Sequence, residues 1–274
     1  KTTDGGDNWI KQLYGNFYYL SSVDFVNNNT GWVVGEGGTI LKTATGGDTW
    51  LSQSSNTYNW LRSVDFIDSM NGWSVGFNGT IIKTTDGGIN WINQICPTIE
   101  NLYSVYFIDI NMGWVVGGHG TILKTTDGGT TWNTQTSNTN LFLLSVVFTD
   151  LNNGIAVGDG GTVLKTTDAG LNWTNIASGS SVIFLSVAFI DINKGWIVGS
   201  NGTILKTSNG GTNWVNQISG TISPLNSLHF FNENIGVIVG GSGFVLKTTN
   251  SGLNWAINPI LTQKIFYSSH FVDN

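Results

Sequence analysis

The chain has 274 residues, 10% of them charged, with a formal net charge of −6 and a pI near 4.8. That acidity, with Arg62 the only arginine, excludes a nucleic-acid backbone as partner, because such binding rests on clustered Lys and Arg. Cys96 is the only cysteine, which leaves neither a disulfide framework nor a thiolate zinc site, and no apolar run reaches the roughly 18–20 residues of a membrane-spanning helix.

Taken in chain order, residues 1–13 read as the end of one strand, a turn and a further strand, closed by Trp9. The pattern Lys-Thr-Thr-Asp-Gly-Gly-x-x-Trp met there returns, with variations, at Trp50, Trp91, Trp132, Trp173, Trp214 and Trp255, each 41 residues from the last. Leu61 to Glu100 is the type unit. It runs Ser63-Val64-Asp65-Phe66, then Gly72-Trp73-Ser74-Val75-Gly76, then Thr80-Ile81-Ile82-Lys83-Thr84, then Asn90-Trp91-Ile92-Asn93-Gln94. Four short β-runs divided by Asn/Gly-rich turns make an antiparallel meander. A fixed period of this length with strand patterning is the signature of a β-propeller with four-stranded blades.

The expected architecture is all-β and one domain, a seven-bladed propeller. Six complete blades fall at about 17–57, 58–98, 99–139, 140–180, 181–222 and 223–263, with an incomplete seventh shared by 1–16 and 264–274. Seven units of 41 would need 287 residues, 13 more than are present. We therefore expect about a dozen further residues, of Gly-Trp-x-Val-Gly-x-x-Gly-Thr-Ile-Leu type, before Lys1, or else an open blade that another chain fills by self-association. Eleven of the 12 tryptophans occupy repeat positions and are expected between blades, Trp60 being the exception.

The pattern Thr84-Thr85-Asp86-Gly87-Gly88-Ile89-Asn90-Trp91 resembles the Asp-box of sialidases and other bacterial-neuraminidase (BNR) repeat proteins. With Gly-Trp-x-Val-Gly-x-x-Gly-Thr-Ile-Leu-Lys-Thr before it, the whole chain is similar to Ycf48-like photosystem II assembly propellers and their exported bacterial relatives. The resemblance implies that the box is the hairpin between third and fourth strands. Asp accepts main-chain N–H bonds there, Gly permits positive φ and Trp packs inward. The Asp position reads Asp4, Thr45, Asp86, Asp127, Asp168, Asn209 and Asn250. Asn and Thr keep turn capping, while a metal site or catalytic carboxylate would not survive them, so the box is structural and neither a metal nor a cofactor is expected. The seven lysines at one repeat position, Lys1 to Lys247, read as a ring of solvated amines.

Sialidases hold the substrate carboxylate with three arginines, which one Arg cannot supply. The photosystem assembly propellers are understood to use an arginine-rich patch, also absent here. Function is then expected on the face opposite the boxes, where loops vary over a repeated scaffold. That face carries Tyr14, Phe17, Tyr18, Tyr58, Trp60, Phe77 and Tyr103, with Glu36, Glu100, His119 and Asp159 one to a loop. Such aromatics stack on sugar rings or anchor a protein, or else cover the ends of hydrophobic strands. A paired carboxylate would suit glycoside hydrolysis, but no spacing pairs any of these. His119 takes a turn slot held elsewhere by Asn78 and Asn201. His229 and His270 share an inner-strand position with Asp24 and Asp65 and are expected to line the central channel. The expected function is a non-enzymatic binding or assembly module of an exported, periplasmic or cell-surface bacterial protein. Its partner would be a protein or a glycan, with no nucleic acid and no membrane insertion. The alternatives are a glycoside hydrolase related to the Asp-box xyloglucanases, and a structural subunit of an extracellular assembly.

Overall fold

The computed structural model describes residues 1–12, 18–259 and 264–272. It contains six sheets of four antiparallel strands, each a meander. The first blade runs Leu20–Phe25, Gly31–Gly35, Ile40–Thr43 and Leu51–Gln53, and the second runs Leu61–Phe66, Gly72–Gly76, Ile81–Thr84 and Ile92–Asn93. The pattern repeats to the sixth blade, which ends with Ala256–Pro259.

All five residues of every second strand are buried, so Gly-Trp-x-Val-Gly forms the middle layer of the ring. Both glycines are required by close approach rather than by turn geometry. A Cβ on Gly72 would sit 2.4 Å from the Phe66 ring, and one on Gly76 would sit 2.1 Å from the Trp60 carbonyl oxygen. That carbonyl projects because the inner strand carries a bulge between Leu61 and Ser63, and the same bulge recurs in each blade.

Blades are joined by indoles. Trp32 stacks on Phe66 at 3.5 Å, Trp73 on Phe107 at 3.6 Å, Trp114 on Phe148 at 3.5 Å and Trp196 on Phe230 at 4.1 Å. Each of these Phe rings meets the outer Trp of its own blade edge-on. Inner strands are tied by serines one repeat apart. The Ser22, Ser63, Ser104 and Ser145 hydroxyls accept N–H bonds from Val64, Val105, Val146 and Val187.

The ring has six blades, not the expected seven. Residues 1–12 and 264–272 contain no strand, because neither has a second and third strand beside it to complete a ladder. The C-terminal segment instead bridges the last and first blades in extended form. Ser269 N–H donates to Ser227 Oγ, Phe271 N–H to His229 Nδ1, and Val23 N–H to Ser268 Oγ. The N-terminal turn docks on the sixth blade, where Asn258 Nδ2 donates to the Gly6 and Asp7 carbonyls at 2.9 Å and Lys247 pairs with Asp7.

The turns between third and fourth strands are built by side chains. Thr84 Oγ1 accepts from Gly88 N–H at 2.8 Å and donates to Asp86, whose Oδ1 accepts Asn90 N–H at 2.9 Å. These bonds, that from Asn90 first, pull the Asp86 carboxyl down to about 2. Thr45, Asn209 and Asn250 accept the same N–H in their own turns, so what the position needs is an oxygen acceptor. Thr84 is buried, and Thr84→Val keeps its shape while stranding the Gly88 amide. It is expected to cost about 1–3 kcal/mol in urea unfolding.

Four of the seven repeat lysines are not solvated amines. Lys42 Nζ donates to the Gly87 carbonyl of the next blade at 2.8 Å and lies 5.1 Å from the Trp32 ring. Lys83, Lys124 and Lys206 cover Trp73, Trp114 and Trp196 in the same way.

Candidate binding face and central channel

The bulge leaves one residue of every inner strand out of the ladder register, as bulges beside functional sites do. In the second blade that residue is Arg62, and in the third it is Tyr103. The Arg62 guanidinium lies 5.3 Å from the Trp60 ring centre and 6.0 Å from that of Phe77. Its Nε is buried without a hydrogen-bond partner among the described residues. Burial draws its pKa down, against the partial compensation of the Tyr103 and Tyr267 hydroxyls.

A continuous chain of rings surrounds it. Tyr19 stacks on Trp60 at 6.2 Å, Trp60 meets Phe77 at 5.6 Å, Phe77 meets Tyr103 at 6.3 Å, Tyr103 meets Phe142 at 6.0 Å and Phe142 meets His119 at 5.3 Å. Trp60 is held from behind, its indole N–H donating to Ser21 Oγ at 2.6 Å. His119 Nδ1 pairs with Glu100 at 2.8 Å. The loops share one backbone conformation. His119 has φ 50°, and Asn78 and Asn201 have 56° and 57° at the same slot, so its turn role and its place on the face coincide.

Of the residues singled out in the sequence, Trp60, Phe77, Tyr103, Glu100 and His119 come together. Tyr18 lies over Gly37, Glu36 accepts the Tyr19 N–H at 3.3 Å, and Asp159 stands in the fourth blade, where burial raises its pKa. Tyr58 is 95% exposed and makes none of these contacts. Tyr14 and Phe17 lie outside the described residues. Arg62, Tyr19 and Phe142 were missed. Aligning the repeats puts Tyr19, Trp60 and Phe142 at one position, which was the available signal.

The channel holds a second titratable group. Asp24 Oδ2 accepts Phe66 N–H at 2.7 Å and Asp65 Oδ2 accepts Phe107 N–H at 2.6 Å. His270 pairs with Asp24 at 3.1 Å and its ring meets His229 at 4.5 Å. The described residues contain no metal-binding cluster of His, Cys, Asp and Glu. Burial, then the neighbouring Asp24, pushes the Asp65 carboxyl well above its ordinary value, while burial, then His270, pulls His229 down to about 3. The signs differ. His229 is favoured neutral, so its contribution is complete above its unfolded value of 6.5 and is lost as pH falls toward 3. Asp65 is favoured protonated, so it costs stability once pH rises above 3.8. Asp65→Asn keeps an acceptor for Phe107 N–H and removes the like charge beside Asp24. Its melting temperature is expected to exceed that of the parent at pH 7, with the gap closing as pH falls below 3.8.

The sequence profile of the photosynthesis system II assembly factor YCF48 matches residues 93–182 and 178–265. No curated protein matches the chain. A structure of YCF48 bound to D1 peptide is 20% identical, with a TM-score of 0.72 over 94% of this chain and 88% of that one. YCF48 from Cyanidioschyzon merolae is 22% identical, with a TM-score of 0.72 over 90% of this chain and 87% of the other. The GH74 enzyme of Niastella koreensis shares the fold at 19% identity and a TM-score of 0.71, matching 89% of this chain but 46% of its own length. With repeats, sheets and profile in agreement over more than half its length, the chain belongs to the YCF48 family of photosystem II assembly-factor propellers.

Proposed function

We propose that the chain is a non-enzymatic binding and assembly module whose aromatic face takes a peptide segment of a protein partner, a carboxylate of that segment pairing with Arg62. The observation that carries this reading is a half-buried guanidinium, walled by Trp60 and Phe77, whose Nε has no partner among the described residues. An unpaired buried donor costs stability, and its retention between the Trp60 and Phe77 rings suits a site kept ready for an anion. Arg presents a planar fork that matches a carboxylate, and rings around it exclude water and anchor the partner. The D1 peptide bound to the similar YCF48 structure favours a peptide as the class of ligand.

The test is calorimetric titration with a library of extended peptides, each made with a free and an amidated C-terminus. Arg62→Gln is expected to weaken binding of the free-carboxylate form about 10–100-fold, the worth of a charge-assisted bond, and Trp60→Ala to weaken both forms. Equal affinities for Arg62→Gln and parent would remove Arg62 from the site.

A further inference from the structure

Each blade places a loop residue beside the residue that enters its inner strand. The N–H of Glu36 donates to the Tyr19 carbonyl, that of Phe77 to Trp60, that of Gly118 to Asn101 and that of Asp159 to Phe142, all at 2.8–2.9 Å. In the fifth and sixth blades the same bond joins Ser200 to Ile183 and Gly241 to Pro224, so rings and charges gather on the first four. Resting on the peptide reading above, we propose that Phe142, Glu100 and Asp159 form a cation subsite of that face. The segment whose carboxylate meets Arg62 then carries a Lys or Arg side chain about three to six residues away, the spacing set by an extended chain.

Two carboxylates flank the half-buried Phe142 ring. Asp159 is tied to the Phe142 main chain by its own N–H, and its carboxylate accepts no hydrogen bond among the described residues. Burial without a cation raises its pKa. Glu100 approaches from the other side. A Cβ on Gly118 would lie 3.1 Å from Glu100 Oε2 and 3.8 Å from the Phe142 ring, so a glycine in the slot that Phe77 fills one blade earlier lets carboxylate and ring close together. Glu100 gives Oε2 to His119 Nδ1 and keeps Oε1 without a partner among the described residues. A Lys or Arg head over an aromatic ring gains from the ring's negative face and more from an adjacent carboxylate. A second acidic side chain there would be repelled, which makes the pair selective.

The scaffold does not require either charge. The slot of Asp159 holds Ser200 and Gly241 in the next two blades, and the slot of Glu100 holds Asn59, Leu141 and Val182. The spacing follows from the rings. Arg62 lies 6.0 Å from the Phe77 centre, Phe77 meets Tyr103 at 6.3 Å and Tyr103 meets Phe142 at 6.0 Å. Those three steps match an extended segment, which advances roughly 3.3 Å per residue and turns alternate side chains to one face.

The experiment is calorimetric titration of the intact chain with synthetic octapeptides that end in a free carboxylate. Each carries one Lys at a stepped distance from that end, or Gln or Glu in its place. We expect the Lys peptide of matching spacing to bind about 10-fold or more tighter than its Gln counterpart, with Glu weaker still. In the Glu100→Gln, Asp159→Asn double variant, whose melting should match the parent, that preference should fall below about 3-fold. Arg62→Gln should weaken the Lys and Gln peptides alike. Arg62-dependent binding with no Lys preference, or a preference that survives the double variant, would overturn the cation subsite and leave the peptide reading in place. Affinities that ignore Arg62→Gln, or no binding by any peptide, would sink that reading and this inference with it.

Discussion

Trp73→Ala is expected to cost about 3–5 kcal/mol, the range for truncating a buried aromatic. The side chain is fully buried, and its indole joins two blades at once. One face lies 3.6 Å from Phe107, its N–H donates to the Gly128 carbonyl at 3.0 Å, and Lys83 covers it at 5.2 Å. Removal opens a cavity between the second and third blades that neither sheet can close, because each is pinned by its own ladder. It also strands the Gly128 carbonyl in the turn of the neighbouring blade. Trp60→Ala is the control. That indole is half-buried and stands on the face rather than between second strands, so its loss should cost less than about 1.5 kcal/mol. Urea unfolding of both variants measures the contrast. Equal losses would mean that the stacked indoles are not what joins the blades.

This contrast also shows what was legible in the sequence. The 41-residue spacing of the tryptophans gave blade length, strand order and the inter-blade place of Trp73, because the same packing problem is solved at each interface by the same residue. The blade count was misjudged at the ends. Residues 1–12 and 264–272 carry strand patterning, but a strand exists only where a neighbour supplies a ladder of hydrogen bonds, and the amides of Ser269 and Phe271 find side chains instead, Ser227 and His229. The lysine ring was misread for a related reason. A repeated lysine looks solvated until its stem is seen lying along the tryptophan of its own blade and its amine reaching the next turn. On the face, individual aromatics were visible and their assembly was not. Periodicity places Trp60 and Phe77 in adjacent loops, yet only the bulge at the second inner strand turns Arg62 between them.

Gly120→Ala is expected to damage fold and face together. Gly120 has φ 71° and an added Cβ would stand 1.9 Å from the Thr139 carbonyl oxygen. Both the backbone conformation and the contact oppose a side chain, and the obstacle is main chain rather than a rotamer that can swing away. The Gly120 N–H also donates to the Leu141 carbonyl at 2.8 Å, so the turn cannot retreat without losing a bond that ties it to the loop entering the fourth blade. We expect a loss above about 4 kcal/mol, the regime of backbone clash and strain. The consequence for the face follows from position. His119 precedes Gly120 and Phe142 follows Leu141, and those two rings meet at 5.3 Å. Driving the turn from the loop separates them and frees Glu100 from His119. Peptide affinity at Arg62 should therefore fall in any folded fraction, although Gly120 touches neither Arg62 nor Trp60. His119→Asn, which keeps the left-handed turn as Asn78 and Asn201 do, should preserve stability and lose the ring's contact with Phe142 and its pairing with Glu100. Together the two variants separate the turn's backbone role from its ring.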